Sequence, residues 1–332
     1  MKKTRSNYKQ SRKKNFNKPQ KFFTKENIFV SRMASILMFP KPRIVPLFSQ
    51  RAISTIRLNP LKGDVSKIKN ILERKDYDLR KIDLVDNAYF VLNKDKSEIS
   101  QTYEYEDGKF YIQNLSSMLP SLLLDPKENE RILDMCAAPG SKTTHLAALM
   151  NNKGEIVAND SEISRVSALK NVLEQFGVKN CKVTLSDAKD FGKKYPTTFD
   201  KVLLDAPCSG EGLIYLRGPK PLRFWGIDRI KRYTFLQKEL LESAFLTLKH
   251  GKYMIYSTCT LEPEENEGVV TYLLEKYPNA RLEEIDIKRD ENMVDGITKW
   301  SGNTYDPSVK RSIRIIPSSK MMGFYIAKIF KE

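Results

Sequence analysis

Histidine is almost missing from this chain of 332 residues, which holds only His145 and His250. Two imidazoles cannot build a histidine-rich metal centre, so no metal is expected. Cysteine is scarce as well. Cys136, Cys181, Cys208 and Cys259 lie far apart, with no Cys-x-x-Cys pair among them. That spacing argues against a zinc site and a disulfide framework, and it fits a reducing, cytoplasmic setting. No run of about 18 apolar residues occurs, so no membrane span is expected. Acidic residues are absent from the first 25 positions, where ten Lys or Arg stand. A secretory signal would follow such charges with an apolar stretch, and none follows here. A mitochondrial leader would favour Arg and an amphipathic pattern, whereas this segment has more Lys than Arg and frequent Asn and Gln.

What is present describes a globular chain with a basic tail. Apolar residues make up 40% of it and aromatic residues 10%, enough at this length for about two domains with a sizeable core. The net charge is +16, and the first residues supply most of it. Residues 1–27 read as a solvated, disordered tail. Tyr8, Phe16, Phe22 and Phe23 among its charges suit a tether that neutralises phosphates and stacks on bases.

Residues 28–114 read as a small α/β domain. A short helix is expected from Ser31, followed by a connection broken at Pro40, Pro42 and Pro46. Thr55–Leu58 reads as a strand, and Asp64 can cap a helix to Leu72 with Val65, Ile68, Ile71 and Leu72 on one face. Further strands are expected over Lys81–Val85, Tyr89–Leu92 and Lys109–Ile112. Residues 115–332 alternate strand and helix, the pattern of a parallel sheet covered on both faces. Strands are expected at Arg131–Met135, Glu155–Ala158, Cys181–Leu185, Lys201–Leu204 and Lys252–Tyr256, with helices starting at Ser141, Glu162, Ile227 and Asn266. Strands near Arg281–Ile285, Ser312–Ile316 and Phe324–Ile329 would complete the sheet, the last two as an antiparallel hairpin at one edge.

Ligands of such sheets bind beyond the carboxyl ends of the strands, and the chemically unusual residues fall there. The stretch from Cys136 through Ala137, Ala138, Pro139, Gly140, Ser141 and Lys142 to Thr143 follows the first strand and opens a helix. Asp160 follows the second strand, Asp187 the third, Asp205 with Cys208 the fourth, and Cys259 the fifth. The first loop is neither a Gly-x-Gly-x-x-Gly fingerprint nor a P-loop, because Ser141 parts Gly140 from Lys142. Its small residues would let backbone amides and a helix N-terminus receive a carboxylate. Asp160 could take both ribose hydroxyls, and Asp187 an adenine amino group. A carboxylate, a ribose and an adenine together describe S-adenosylmethionine. Any one Asp could be only a helix cap; the full set argues for the cofactor.

Asp205-Ala206-Pro207-Cys208 and Ser257-Thr258-Cys259-Thr260 each end an apolar run. A thiolate is the strongest side-chain nucleophile near neutral pH, so two thiols so placed point to covalent chemistry on an electrophilic carbon. With the Cys136–Thr143 loop and the segment from Phe110 to Pro120, these motifs resemble the RNA (cytosine-5)-methyltransferases of the nucleolar-protein/Sun family, over roughly Ile53 to Lys328. The resemblance implies a class I S-adenosylmethionine-dependent methyltransferase fold: a Rossmann-like, mostly parallel seven-stranded sheet with an antiparallel edge strand, behind a small α/β domain. It implies Cys259 as nucleophile, Cys208 as the thiol that assists release, and Asp205 on the cytosine N3/N4 edge with Lys142 nearby. The implied cofactor contacts are Cys136 through Lys142, Asp160, Arg165, Asp187 and Asp205. The implied partner is RNA, ribosomal or transfer, and a monomer is expected. Ser141 stands where the family usually has Gly, a change that a helix-capping Ser would tolerate. The segment from Arg314 to Tyr325 resembles the family's end but lacks its common His after the proline. With no further RNA-binding domain after it, substrate choice would fall on the small domain and the tail.

The chemistry explains the residue types. Cytosine C5 is a poor nucleophile until a thiolate adds at C6 and turns the ring into an enamine. An acid at N3 drains the charge that this addition creates. The target base must also leave its stack, at a cost of about a few kcal/mol. No residue stands out as the base for the C5 proton. His145, Cys181 and the sulfur of Cys136 read as packing groups, and Lys142 could be a solvated helix residue. A catalytically silent RNA-binding assembly factor with the same fold is the alternative; intact Cys259, Cys208, Asp205 and Lys142 argue against it.

Overall fold

The structure, a computed structural model, describes residues 24–332. The tail aromatics Tyr8, Phe16, Phe22 and Phe23 lie outside the described residues. Two helices open the described chain, α1 (Lys25–Leu37) and α2 (Lys41–Leu47). The Thr24 hydroxyl caps α1 by accepting from Asn27 N–H at 3.2 Å, so the last residues read as tail are helical. The proline-rich stretch is a helix rather than an irregular connection. Pro42 sits in the first turn of α2, where a backbone amide has no intrahelical partner to lose.

A four-stranded antiparallel sheet follows. Its strands are β1 (Ser54–Leu58), β2 (Leu79–Lys81), β3 (Ala88–Val91) and β4 (Phe110–Ile112), in the order β2-β3-β1-β4. Helix α3 (Val65–Arg74), capped by the Asp64 carboxylate, joins β1 to β2. Two short helices, α4 (Lys96–Ser100) and α5 (Tyr103–Glu106), precede β4.

The larger unit starts with α6 (Leu115–Leu124), then alternates β5 (Arg131–Asp134), α7 (Ser141–Leu149), β6 (Glu155–Asp160), α8 (Ile163–Gln175), β7 (Cys181–Leu185), α9 (Phe191–Lys194), β8 (Lys201–Asp205), α10 (Ile227–Thr247), β9 (Lys252–Thr258) and α11 (Glu267–Lys276). Strands β10 (Ala280–Glu283) and β11 (Met293–Asp295), a two-residue ribbon of β12 (Lys299–Trp300) with β13 (Asn303–Thr304), then β14 (Ile313–Ile315) and β15 (Phe324–Lys331) complete it. Strands β7-β6-β5-β8-β9 are parallel, and β15, β14 and β11 continue the sheet antiparallel, with β10 also on β15. The sheet thus has nine strands rather than seven. The expected terminal hairpin, β14 with β15, is not at an edge: β15 pairs along seven residues of β9 and is nearly buried throughout. The outermost strand, β11, has one buried position in three, too little for periodicity to reveal.

Strands β6, β8 and β9 run further than their apolar cores suggest. Parallel pairing continues to Asp160 opposite Leu185 and to Asp205 opposite Ser257, so both carboxylates are held by the sheet itself. One core layer packs α10 and α11 on the sheet through Leu241, Phe245 and Val269. The other packs α6 and α7, with Phe90 of β3 and Val85 of the turn before it in the same cluster as Leu115 and Leu119. Helices α1 and α2 do not join the small sheet. Phe29, Met33, Ile44 and Phe48 instead bury Leu222, Trp225 and Leu261, and Leu216 N–H donates to the Phe48 carbonyl at 2.7 Å.

Candidate active site

The loop after β5 is shaped by its neighbours. Ala137 N–H donates to the Asn159 carbonyl at 2.8 Å, fastening it to β6. Gly140 has φ of 110°, and a Cβ there would come within 3.0 Å of Leu169 Cδ1, so only glycine fits. Gly140 is the N-cap of α7 with no side-chain capping bond. Ser141 is therefore the first helical residue, not the capping serine expected. Arg165 Nη2 donates to the Ala138 carbonyl at 2.8 Å, while its Nη1 lies 3.3 Å from Asp160 Oδ2. Asp160 is buried. Its Oδ1 accepts from Glu162 N–H at 3.3 Å, and its Oδ2 has no hydrogen-bond partner. Arg165 lies against Asp160 Oδ2 as an ion pair without making a hydrogen bond to it, which leaves that buried oxygen able to accept from a ligand hydroxyl, so the site fits the ribose of S-adenosylmethionine. Asp187 stands apart, its side chain 53% exposed, and caps a single turn by accepting from Lys189 N–H at 3.0 Å.

Lys142 is not a solvated helix residue. It is 6% exposed, with Nζ 2.6 Å from Asp205 Oδ2, and it donates to Ser117 Oγ at 3.0 Å. The Ser257 hydroxyl donates to the other Asp205 oxygen at 2.8 Å. The ends of β8 and β9 and the start of α7 thus meet at one carboxylate. Asp134, the last residue of β5, went unremarked in the sequence although it breaks an apolar run. It is fully buried, Thr143 donates to its Oδ2 at 2.7 Å, and its Oδ1 has no partner. Burial pushes its pKa up to about 7, against the pull of Thr143 and Lys142.

Cys208 Sγ and Cys259 Sγ lie 3.0 Å apart, both half-buried and free. The Cys259 contact, then burial, hold the Cys208 thiol well above its usual range. Their loops are locked together at Gly212, whose N–H donates to the Cys259 carbonyl at 3.0 Å and whose carbonyl accepts from Gly323 N–H at 3.1 Å. A Cβ on Gly212 would strike the Gly323 backbone oxygen at 1.9 Å. The other two thiols differ. Burial pushes Cys181 up to about 12, and burial beside Asp160 and Asp134 raises Cys136. His145 is buried in α7, and burial near Arg57 lowers its pKa well below the usual value.

A groove of about 1100 Å³ borders these residues at Ser117, Ser141 and Gly212, and is lined further by Tyr111 of β4, Gln113, Arg51 and Tyr215. The Arg51 guanidinium sits 4.7 Å from the centre of the Tyr215 ring. No helix among the described residues is long and apolar enough to cross a membrane.

Known proteins share this arrangement of sequence and fold. The tRNA (cytosine(49)-C(5))-methyltransferase of Pyrococcus abyssi is 42% identical over 278 residues, 83% of this chain and 88% of that protein. Ribosomal RNA small subunit methyltransferase F of Aliivibrio fischeri MJ11 is 38% identical over 84% of this chain, which spans only 58% of that longer protein. A methyltransferase homologue from Pyrococcus horikoshii superposes with a TM-score of 0.78 at 32% identity, covering 92% of this chain and 95% of that one. NSun6 from the same organism, solved with SFG, gives 0.73 at 25% identity over 92% and 97% of the two chains. Residues 121–330 match the family described as 16S rRNA methyltransferase RsmB/F, and this chain belongs to that family.

Proposed function

We propose that this protein is an RNA (cytosine-5)-methyltransferase that joins Cys259 to C6 of a cytosine in tRNA or rRNA while C5 is methylated. The observation that carries this reading is the facing pair of thiols on the loops after β8 and β9, next to the Lys142–Asp205 ion pair that closes the ends of those strands. The names of the relatives support RNA cytosine as the substrate class, and SFG, an analogue of S-adenosylmethionine, supports the methyl donor.

When bound, S-adenosylmethionine supplies an electrophilic methyl group. The Cys136–Lys142 loop would face its methionine end, and Asp160 Oδ2, which makes no hydrogen bond of its own, its ribose. Arg165 ties these two elements together. The Cys259 thiolate adds to C6, and the pair of electrons displaced from the ring is neutralised by a proton at N3. Asp205 can relay that proton from Lys142, whose ammonium is 2.6 Å away. Once C5 has been methylated, N3 returns its proton through Asp205, a base takes the C5 proton, and the electrons of that C–H bond re-form C5=C6 as the C6–S bond breaks and Cys259 leaves as thiolate. Cys208, 3.0 Å from that sulfur, is placed to assist the release. An unpaired strand is a better substrate than a duplex, because the reacting base must be splayed out.

Methyl transfer from labelled S-adenosylmethionine to unmodified tRNA and to small-subunit rRNA transcripts tests the proposal. Cys259→Ala is expected to lower turnover by on the order of 10³-fold or more while the protein stays folded. Cys208→Ala is expected to trap a protein–RNA adduct that survives denaturing electrophoresis. Full activity in Cys259→Ala would overturn the assignment of the nucleophile, and RNA binding without methyl transfer by the unaltered protein would favour an assembly role.

A further inference from the structure

Beneath the two cysteine loops the buried hydroxyls and carboxyls can be matched proton by proton. Ser209, next to Cys208, sets its hydroxyl 2.7 Å from Glu211 Oε2, against Glu265 Oε1, and 3.2 Å from the Thr260 hydroxyl. Thr260, next to Cys259, also contacts Glu211 Oε2. A hydroxyl carries a single proton. Thr260 gives its proton to Glu211, which leaves Ser209 with one proton for two carboxyls. Were both ionised, a carboxylate oxygen would press on the Ser209 oxygen with nothing between them, a costly contact in a buried place. One carboxyl must be the acid. Glu265 Oε2 already accepts from Ser209 N–H at 3.0 Å and from Gln237 Nε2 at 2.8 Å. Burial raises Glu211 as well, but its Oε2 faces both hydroxyls and can be supplied by them, whereas Glu265 Oε1 faces Ser209 alone; a proton on Glu265 Oε1 satisfies all three contacts.

We infer that Glu265 is a neutral, proton-donating carboxyl that positions Cys208 against Cys259. It rests on reading the two cysteines as the reacting pair. Gln237 Nε2 donates to the Pro207 carbonyl at 2.8 Å as well as to Glu265, so both neighbours of Cys208 hang from one Gln–Glu pair. The Tyr256 hydroxyl donates to the Glu265 carbonyl at 2.6 Å, tying the same residue to β9, the strand that ends before Cys259. Glu265 is a positioning residue, since its side chain meets loop atoms and not the reacting ones.

The titratable groups around it are Glu211 on the turn after Cys208, Cys208 itself, Tyr256 of β9, and Glu262 with its partner Arg32 of α1. Arg32 turns to Glu262 and Glu264, and no cation among the described residues pairs with Glu265. Burial, then Glu211, push Glu265 up to about 8. Above that pH it would surrender its bond to Ser209 and add a charge that disfavours a thiolate at Cys208.

The test needs no RNA, so its failure is separate from any failure of methyl transfer. In a Cys259→Ser background, alkylation of Cys208 by iodoacetamide is followed by mass spectrometry between about pH 6 and pH 10. Adding Glu265→Gln, which copies the neutral acid but cannot ionise, is expected to speed alkylation several-fold near pH 9 and to leave it unchanged near pH 6. Superimposable profiles would overturn the inference. Should that variant fail to fold, the carbon-13 shift of the Glu265 carboxyl in the unaltered protein decides: a protonated shift at pH 7 supports it, and an ionised one refutes it.

Discussion

Asp205 and Glu265 both sit at the mouth of the same sheet, yet the chain surrounds them differently. Asp205 has a cation of its own, with Lys142 Nζ 2.6 Å away and the Ser257 hydroxyl on its other oxygen. Glu211, Glu262, Glu264 and Glu265 lie around the cysteine loops; among the described residues Arg32 is the cation that reaches them, and it binds Glu262 and Glu264. Where lysine or arginine is supplied one to one, a buried carboxylate is neutralised by charge. Where carboxyls outnumber cations, protons take the place of the missing charges, because an unpaired buried anion costs more than holding a proton. Burial and the nearby Glu211 push Glu265 up to about 8, and Glu262 up to about 8 as well even with Arg32 against it, since that one guanidinium is shared with Glu264.

The largest effect should come from the cation that cannot be replaced by a proton. Lys142→Met leaves Asp205 facing the site with Ser257 alone, and is expected to lower methyl transfer by about 10²-fold or more and stability by about 2–3 kcal/mol. Denaturant unfolding and the methyl-transfer assay measure the two losses, and an active Lys142→Met protein would break the comparison. Stability itself should also depend on pH. Glu262 and Glu265 stay protonated in the folded chain up to about 8 but ionise near 4.3 when unfolded. The folded state therefore binds more protons in that window. Their contribution is complete below the unfolded value and is lost as pH rises through about 8, at up to about 1.4 kcal/mol per pH unit for each group. Unfolding curves at several pH values show this slope, and Glu265→Gln should remove one group's share. A flat profile would mean that both are ionised. The smallest loss belongs to Arg32→Met. Glu262 can keep its proton, so about 1–2 kcal/mol is expected, mostly from the lost hydrogen bonds and the loosened seat of α1. A loss as large as that of Lys142→Met would show Glu262 to be an anion.

Much of the fold could be read from apolar periodicity. The strands from Arg131 to Tyr256 and their helices stand close to where they were expected, since long buried strands with helices between them carry a strong pattern. Helix α2 and strand β11 could not be read, the first because three prolines mimic a connection, the second because one buried residue makes no period. In the site, the unusual residues stood out by type, as cysteines and aspartates at strand ends. Glu211, Glu262 and Glu265 did not, because a glutamate in a loop looks solvated until its neighbours are known. Asp134 was hidden in the same way, at the end of an otherwise apolar strand.

Local order along the chain determined which chemical groups are present and at which end of the sheet they emerge, because side-chain alternation and strand–helix order are properties of sequence. Only the tertiary structure decided that Cys208 and Cys259, 51 residues apart, bring their sulfurs within 3.0 Å, and that α1 reaches across to the loop after Cys259. The reason is physical: burial and proton sharing depend on every neighbour in space, and those neighbours come from distant parts of the chain.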